Sequence, residues 1–526
     1  MRVLLINPNR VHGMKVFDLG SDQDFEIDGD DYGQFPPLGL LYLASSVQRA
    51  RPQDEVALID AIAERVSAAE LEQRIRDFGP DVVGISTFTM VLYDCCLIAE
   101  LARLVNPRVH VCFGGPHITD FAAETASLPM VDSVVLGEGE ETFVELLHQL
   151  EQGRPVEEVP GVFTRHNVHR VTRAKSRRPM IRDLDALPHP DRSLLKQHLY
   201  YNAIGFEPSI ATVITSRGCP KQCTFCATMH SHYRVRSLPN VLEEIGAILD
   251  GGIREIFFQD DTFNLLGERA REFCRHVLAA GLRFSWSFKA RVDQIDEELM
   301  SLARRAGCRQ IHIGVETGTQ EGLDYLKKGV TLGQLRRAFA LAHEHGIRTI
   351  ADWMIGLPFE RSEADIDRNF EFLLALDPYY VQINVLQPFP FTRIFAEAES
   401  RRLDNLERWR AWCSCPTPHF QKGVWTEYLT AAQLNAKARQ LYRRFYFRPE
   451  YIARSVVSLA NHRDLWRKVQ GARRLLVNSG RRDVERNRQR YANPTLERLE
   501  HRLRASPAVT GEGQEPPRAQ EEVRPA

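Results

Sequence analysis

Net charge is what this sequence has least of. Lys and Arg number 68, Asp and Glu 69, leaving −1 at neutral pH over 526 residues. No global field exists to draw in nucleic acid, and no partner of that class is expected. Long apolar runs are missing too: no stretch reaches the ~20 residues of a membrane span. Met1 leads directly into the strand-like VLLINPN rather than into a secretory signal. Cysteine is sparse, ten residues scattered through the chain, which argues against a disulfide framework. These absences together predict a cytoplasmic protein in reducing surroundings. The nicotinamide signature G-x-G-x-x-G does not follow the first strand-like run, so a dinucleotide site is not expected there. What remains is an ordinary globular balance, 43% hydrophobic and 26% charged, in a chain long enough for roughly two to four domains.

Three of the ten cysteines are not scattered. Cys219, Cys223 and Cys226 stand at C-x3-C-x2-C spacing within SRGCPKQCTFCATM, close enough to wrap three thiolates around one small object. A [4Fe–4S] cluster has four irons and usually four cysteine ligands. The next cysteine is Cys274, far along the chain, so one iron would stay open to a substrate or cofactor. Gly218 permits the turn before the first cysteine, Pro220 stiffens the loop, and Phe225 gives a cluster an apolar neighbour. A structural zinc site is the competing reading, because His230 completes C-x3-C-x2-C-x3-H.

Over residues 1–150, apolar strand runs at 3–9, 55–60, 81–87, 109–115 and 131–137 alternate with helical patterns. That alternation predicts a doubly wound parallel sheet whose ligand sits outside the strands' carboxyl ends. Those ends carry Ser86-Thr87, Gly114-Gly115-Pro116-His117 and Gly137-Glu138-Gly139-Glu140, and glycines there admit a large flat ligand. Residues 151–205 read as a connector, with a small hairpin over 160–173. The strand–helix alternation then resumes to 395, with six strand runs beginning near 211, 255, 283, 310, 349 and 380. Six such units predict an open (β/α)6 barrel with its chemistry at the carboxyl ends. The first end delivers the cysteine loop. The others deliver Asp260-Asp261, Lys289 and Arg291, Glu316 in GVETG, Gly356-Leu357-Pro358, and PFPFT.

These motifs resemble the cobalamin-binding-domain radical S-adenosylmethionine (SAM) enzymes over about residues 1–400. The resemblance implies an α/β fold: a Rossmann-like cobalamin-binding domain over 1–150, a connector over 151–205 and a partial radical SAM barrel over 206–395. It implies a [4Fe–4S] cluster on Cys219, Cys223 and Cys226, SAM on the open iron, and one-electron cleavage of SAM to a deoxyadenosyl radical. Residues matching the family's cofactor sites are Phe225, Asp260, Arg291, Glu316 (ribose), Gly356 and Pro358 (adenine) for SAM. For cobalamin they are Ser86, Thr87, Gly114, Gly115, Gly137 and Glu138. The chain departs from the pattern in three places. Phe359 and Phe391 stand where relatives usually carry glycine, which suggests a bulkier, more apolar pocket wall. No D-x-H-x-x-G occurs, leaving His12 as the positional candidate for a cobalt ligand and a cobalamin without a protein ligand as the favoured state. His117 is expected to cap its helix or touch the cofactor's edge.

Residues 396–505 are read as a helical region rich in aromatics that either packs as a cap or lines a substrate pocket. Residues 463–504 hold thirteen Lys/Arg against five Asp/Glu, a basic stretch for which peripheral membrane contact is the minority reading. Residues 506–526 have no apolar periodicity and read as a disordered tail. The family resemblance implies methylation of an unactivated carbon of a small-molecule substrate, which the aromatic cap would let be large and apolar. It also implies an external electron donor such as flavodoxin or ferredoxin. Cobalamin-assisted oxidation, cyclisation or rearrangement is the alternative, as in the anaerobic magnesium-protoporphyrin ester cyclase and hopanoid-associated relatives. A non-catalytic corrinoid or redox sensor is the reading from another class.

Overall fold

The computed structural model describes residues 1–10, 12, 33–171, 178–227, 231–418, 420–457 and 497–501. His230, most of the basic 463–504 stretch and the 506–526 tail lie outside the described residues.

The N-terminal unit is a doubly wound sheet. Its strands are β1 (Arg2–Asn7), β2 (Glu55–Asp60), β3 (Val82–Ser86), β4 (His110–Gly114), β5 (Ser133–Val135) and β6 (Val162–Phe163), in spatial order β2-β1-β3-β4-β5-β6. The first five pair in parallel, and the strand order reverses direction at β1. Helices α1 (Leu38–Ala50), α2 (Ala68–Phe78), α3 (Leu92–Val105), α4 (Pro116–Ala126) and α5 (Gly139–Glu151) cover both faces. Two buried clusters result, one containing Leu4, Ile6 and Val83 and the other Val3, Leu5 and Val82. Successive side chains of one strand thus feed opposite faces. The hairpin expected over 160–173 does not form among the described residues, which end here at Val171. Val162 and Phe163 instead add antiparallel to β5, and residues 168–170 make a 3-10 turn. The open edge of β5 offers those two apolar side chains a buried place that a surface hairpin would not.

The second unit is a six-stranded parallel sheet in sequential order: β7 (Ala211–Val213), β10 (Glu255–Phe258), β11 (Ser285–Ala290), β12 (Cys308–Glu316), β13 (Arg348–Ile355) and β14 (Tyr380–Val385). A short ladder, β8 (Ser216–Arg217) with β9 (Arg234–Val235), frames the cysteine loop. Helices α6 (Leu238–Asp250), α7 (Gly267–Ala279), α8 (Glu297–Arg305), α9 (Gln320–Tyr325), α10 (Leu332–Glu344) and α11 (Glu363–Leu376) follow the strands in turn. Side chains such as Ile256, Trp286, Ile311 and Trp353 pack outward against them.

The C-terminal helices are α12 (Arg393–Ser400), α13 (Leu406–Ser414), α14 (Ala431–Tyr446) and α15 (Pro449–Val457). Their aromatics pack rather than open toward a pocket. On α14, the Tyr442 hydroxyl accepts from Ile383 N at 2.8 Å and the Tyr446 hydroxyl from Val381 N at 3.2 Å. Both bonds serve the unpaired edge of β14. Trp409 and Trp412 on α13 join the core of the N-terminal unit beside α4. Among the described residues no helix is long and apolar enough to cross a membrane.

Candidate active site

The cysteine loop is held from four sides. Gly218 lies at φ +89°, where a Cβ would collide with the His232 carbonyl, so only glycine fits. Cys219 N donates to Ser231 Oγ at 2.7 Å, and Ser231 N returns to Cys219 O at 3.2 Å. Thr224 N donates to Leu326 O at 3.0 Å, while Thr224 O accepts from Ile394 N at 3.1 Å. The three thiols are half-buried and unbridged. Burial pushes the Cys223 thiol up, and the Lys328 ammonium pulls it back. Phe225 packs into an apolar cluster with Leu326, Met354, Leu357 and Trp425, with Lys328 Nζ 5.8 Å from its ring.

Beside the loop stands Glu316. A bulge in β12 turns it to φ +67°, a left-handed conformation that costs a non-glycine residue about 1 kcal/mol or more. Its Oε1 accepts from Lys328 Nζ at 2.5 Å. Neither Arg291 nor Lys289 pairs with it among the described residues. Gly314 provides the room, because a Cβ there would strike both Glu316 Oε1 and Lys328 Nζ. Arg291 is bound to Asp293 (2.9 and 3.1 Å) and to the Lys328 carbonyl at 3.2 Å, so it positions the Lys328 segment.

Several expected cofactor contacts have structural duties. The Asp260 carboxylate is 1% exposed and accepts from Thr215 N, Thr215 Oγ1 and Ser216 Oγ, each at 2.6 Å. It braces the approach to the cysteine loop, while Asp261 faces solvent. Gly356, at φ +72°, lets Leu434 of α14 approach to 3.1 Å of where a Cβ would be. Pro358 is buried in the same turn. That turn is closed by Glu360, whose Oε2 accepts from Leu357 N at 3.0 Å and Oε1 from Asn369 Nδ2 at 2.9 Å. Phe359 packs against the same apolar cluster as Phe225, its ring edge-on to Tyr325 at 5.6 Å. Phe391 keeps the φ of +67° that glycine favours, but its ring meets Phe121 of the N-terminal unit at 5.6 Å. It is an interdomain contact rather than a barrel wall.

On the N-terminal sheet, Ser86, Gly114, Gly115 and Gly137 share the carboxyl edge. Gly115, at φ +106°, abuts the Thr87 backbone. Thr87 itself is fully buried, with its hydroxyl directed to Ile85 O at 3.3 Å. His117 neither caps its helix nor reaches the edge. It is buried between Thr89 Oγ1 and Thr125 Oγ1, each at 2.9 Å, and burial pushes its pKa down to about 3. His12 is likewise engaged, Nδ1 with Asp94 at 2.9 Å and Nε2 with Glu500 at 3.0 Å. Glu138 points across the domain boundary. It receives Arg217 at 2.9 Å, Arg234 at 2.9 Å and Ile181 N at 2.8 Å, and Glu140 holds the other arm of Arg217.

Arg217 precedes Cys219 by two residues, so the carboxyl edge of the first sheet is fastened directly to the cysteine loop. Residues 213–373 match the model of the radical SAM superfamily and residues 29–147 that of the B12 binding domain. An uncharacterized methyltransferase of Pyrococcus horikoshii is 33% identical over 427 residues, 80% of this chain and 90% of that protein. The chain belongs to the cobalamin-dependent radical SAM enzymes. The anaerobic magnesium-protoporphyrin IX monomethyl ester cyclase of Rubrivivax gelatinosus is 28% identical over 76% of this chain and 70% of its own length. A radical SAM methyltransferase from Kitasatospora setae, solved with cobalamin and a [4Fe–4S] cluster, has the same fold. Its TM-score is 0.64 at 17% identity, covering 93% of this chain and 99% of that one.

The two domains imply SAM, a [4Fe–4S] cluster and cobalamin, and the donor sets fit them. Three unbridged thiols on one braced loop suit a cubane, which presents a separate iron to each thiolate. Among the described residues, no three His, Cys, Asp or Glu side chains converge on a single ion. At the N-terminal edge, nothing lies within 4 Å of a Cβ built on Gly114, and Phe88 is 50% exposed. An open edge of that kind suits a corrinoid ring.

Sequence reasoning missed Lys328, Glu360, Arg217 and Asp352. Asp352 carried a readable signal, being a charge inside the buried strand run TIADWMI. Lys328 carried none, since its partner lies twelve residues back across a bulge and a helix.

Proposed function

We propose that this enzyme methylates an unactivated carbon of a small-molecule substrate. When bound, the cluster and cobalamin supply one-electron reduction of SAM and a transferable methyl group. Cys219, Cys223 and Cys226 would hold the cluster, and three ligands for four irons leave SAM a place to bind. Glu316, fixed by Lys328, offers a carboxylate oriented to accept ribose hydroxyls. Phe225 and Phe359 keep water from the loop's inner side. Ser86, Gly114, Gly115 and Gly137 would receive the corrinoid. Electrons would come from an external donor of the flavodoxin or ferredoxin kind.

The observation that carries this reading is the Glu138–Arg217 link, which sets the carboxyl edge of the first sheet against the cysteine loop. A chain using its two domains independently would have no need of it. The test is anaerobic reconstitution with iron, sulfide and hydroxocobalamin, followed by SAM and a strong reductant. Bound iron and the charge-transfer absorption of the cluster are read first, then 5′-deoxyadenosine and S-adenosylhomocysteine. Wild-type protein is expected to give all four signals, and Cys223→Ala none beyond background. An iron-free wild-type protein that binds zinc instead would end the proposal.

A further inference from the structure

Strand register sorts the barrel's interior into layers. Ser287 pairs with Phe257 on one side and Gln310 on the other, and Phe257 with Thr212. One layer nearer the carboxyl ends, Lys289 pairs with His312. One layer further, Gly314 pairs with Asp352. Side chains of the opposite parity go to the helices, so these residues face the lumen. Barrels of this kind usually fill their lumen with bulky aliphatic side chains. This one does not.

Thr212, Ser287 and Gln310 are 0%, 3% and 1% exposed, yet Thr212 Oγ1, Ser287 Oγ and both amide atoms of Gln310 have no hydrogen-bond partner among the described residues. A buried polar group left so is costly. Above them, Lys289 is exposed to the lumen and makes no ion pair among the described residues; its ammonium lies 6.0 Å from the Phe257 ring. The His312 ring packs on Phe257 at 5.4 Å, and burial, then Lys289, keeps it neutral. Asp352 has neither a hydrogen bond nor an ion pair among the described residues. Burial and then Glu316 push its pKa up to about 7, against Lys328 and Lys289. Below, Phe257 joins Phe35, Tyr200 and Ile210 in an apolar floor. The lumen is therefore closed at the bottom and open under the Glu316–Lys328 pair.

Water could satisfy the orphaned hydroxyls. Water does not explain a lone cation and a lone acid that share one lumen without pairing. We propose that the lumen is the substrate's polar subsite and that the substrate carries an α-amino-acid group, its carboxylate toward Lys289 and its ammonium toward Asp352. Gln310 and Ser287 take the remaining donors and acceptors. This rests on the reading of the barrel mouth as the place where SAM meets substrate, and it replaces the expectation of a large apolar substrate.

The test uses reconstituted holoenzyme saturated with SAM, so that SAM's own amino-acid end is not the ligand measured. The proteinogenic amino acids are offered as a mixture, and each is matched with its decarboxylated amine and its deaminated acid. A set of long-chain alcohols serves as apolar probes. Retention on equilibrium dialysis is read by mass spectrometry, with labelled SAM followed in the same cells. At least one amino acid is expected to be retained, with both of its matched analogues lost. Lys289→Met and Asp352→Asn are each expected to weaken retention about tenfold or more. Gln310→Met, which fills the lumen's floor with an isosteric apolar group, should weaken it as well. Retention of alcohols in place of amino acids, or of no probe while SAM is held, overturns the proposal. So does amino-acid retention indifferent to both charge substitutions. Failure to hold SAM in the wild type instead overturns the function proposed above.

Discussion

At the scale of single residues, the pair Glu316–Lys328 concentrates the most risk. Both side chains are largely buried, at 9% and 16% exposure, so removing one partner strands the other. Lys328→Met is expected to lower stability by about 3 kcal/mol and weaken SAM binding about tenfold, read by urea titration and dialysis. Gly314→Ala should reproduce the binding loss with both charges present, because its Cβ displaces the pair. SAM affinity unchanged in Gly314→Ala would show that the pair does not position the cofactor. Glu360 gives a second, pH-linked test. Burial raises its pKa from 4.5 to about 7, against the Leu357 and Asn369 donors that favour its ionised form. An acid raised on folding binds its proton more tightly when folded. Its contribution is therefore full below the unfolded value and declines as pH rises to about 7. The expected decline is about 3 kcal/mol, and Glu360→Gln should flatten that part of the urea-midpoint profile. Asp352 titrates in the same window, so the difference between variant and wild type is the quantity to read. An identical profile in both would remove Glu360 from the linkage.

At the scale of elements, α14 shows how a six-stranded open barrel manages an exposed edge. Two hydroxyls one helical turn apart match two alternate residues of β14, and the Tyr442 and Tyr446 rings stack 6.2 Å apart. Tyr442→Phe keeps the packing and orphans Ile383 N, which should cost about 2 kcal/mol. Tyr446→Phe, at a longer bond, should cost less. Equal, negligible losses in thermal melts would mean water replaces both. These duties mark what could be read from sequence. Strand and helix order in both units followed from alternating periodicity, and the cysteine loop from spacing, because both are local properties. What α14 does was not legible, since a tyrosine on an amphipathic helix looks the same whether it lines a pocket or ties down an edge. Asp260 misled for a related reason: a carboxylate at a strand end reads as a ligand until the donors that saturate it, Thr215 and Ser216 on the approach to the cysteine loop, are seen. Phe391 was legible as an oddity, a bulky residue in a glycine's place. Only the fold reveals that its ring serves the other domain.

At the scale of the whole molecule, contacts of two kinds join the two units. One is ionic: Glu138 with Arg217 and Arg234 at the front, beside the cysteine loop. The other is apolar, with Trp409, Trp412 and Cys413 of α13 buried in the core of the N-terminal unit. The magnitudes rank them. An ion pair partly open to solvent gains little net energy after desolvation, whereas truncating a buried tryptophan costs about 3–5 kcal/mol. The apolar contact should therefore carry the cooperativity of folding, and the ionic one the alignment of the two reactive edges. Trp409→Ala is expected to split the calorimetric transition in two, the N-terminal unit melting first. Glu138→Ala should lower the midpoint and keep one transition, while reducing S-adenosylhomocysteine formed per SAM cleaved, because cleavage needs only the barrel and transfer needs both edges in register. Two transitions in Glu138→Ala would show that the ionic cluster holds the domains together, and an unchanged product ratio would show that it does not align them.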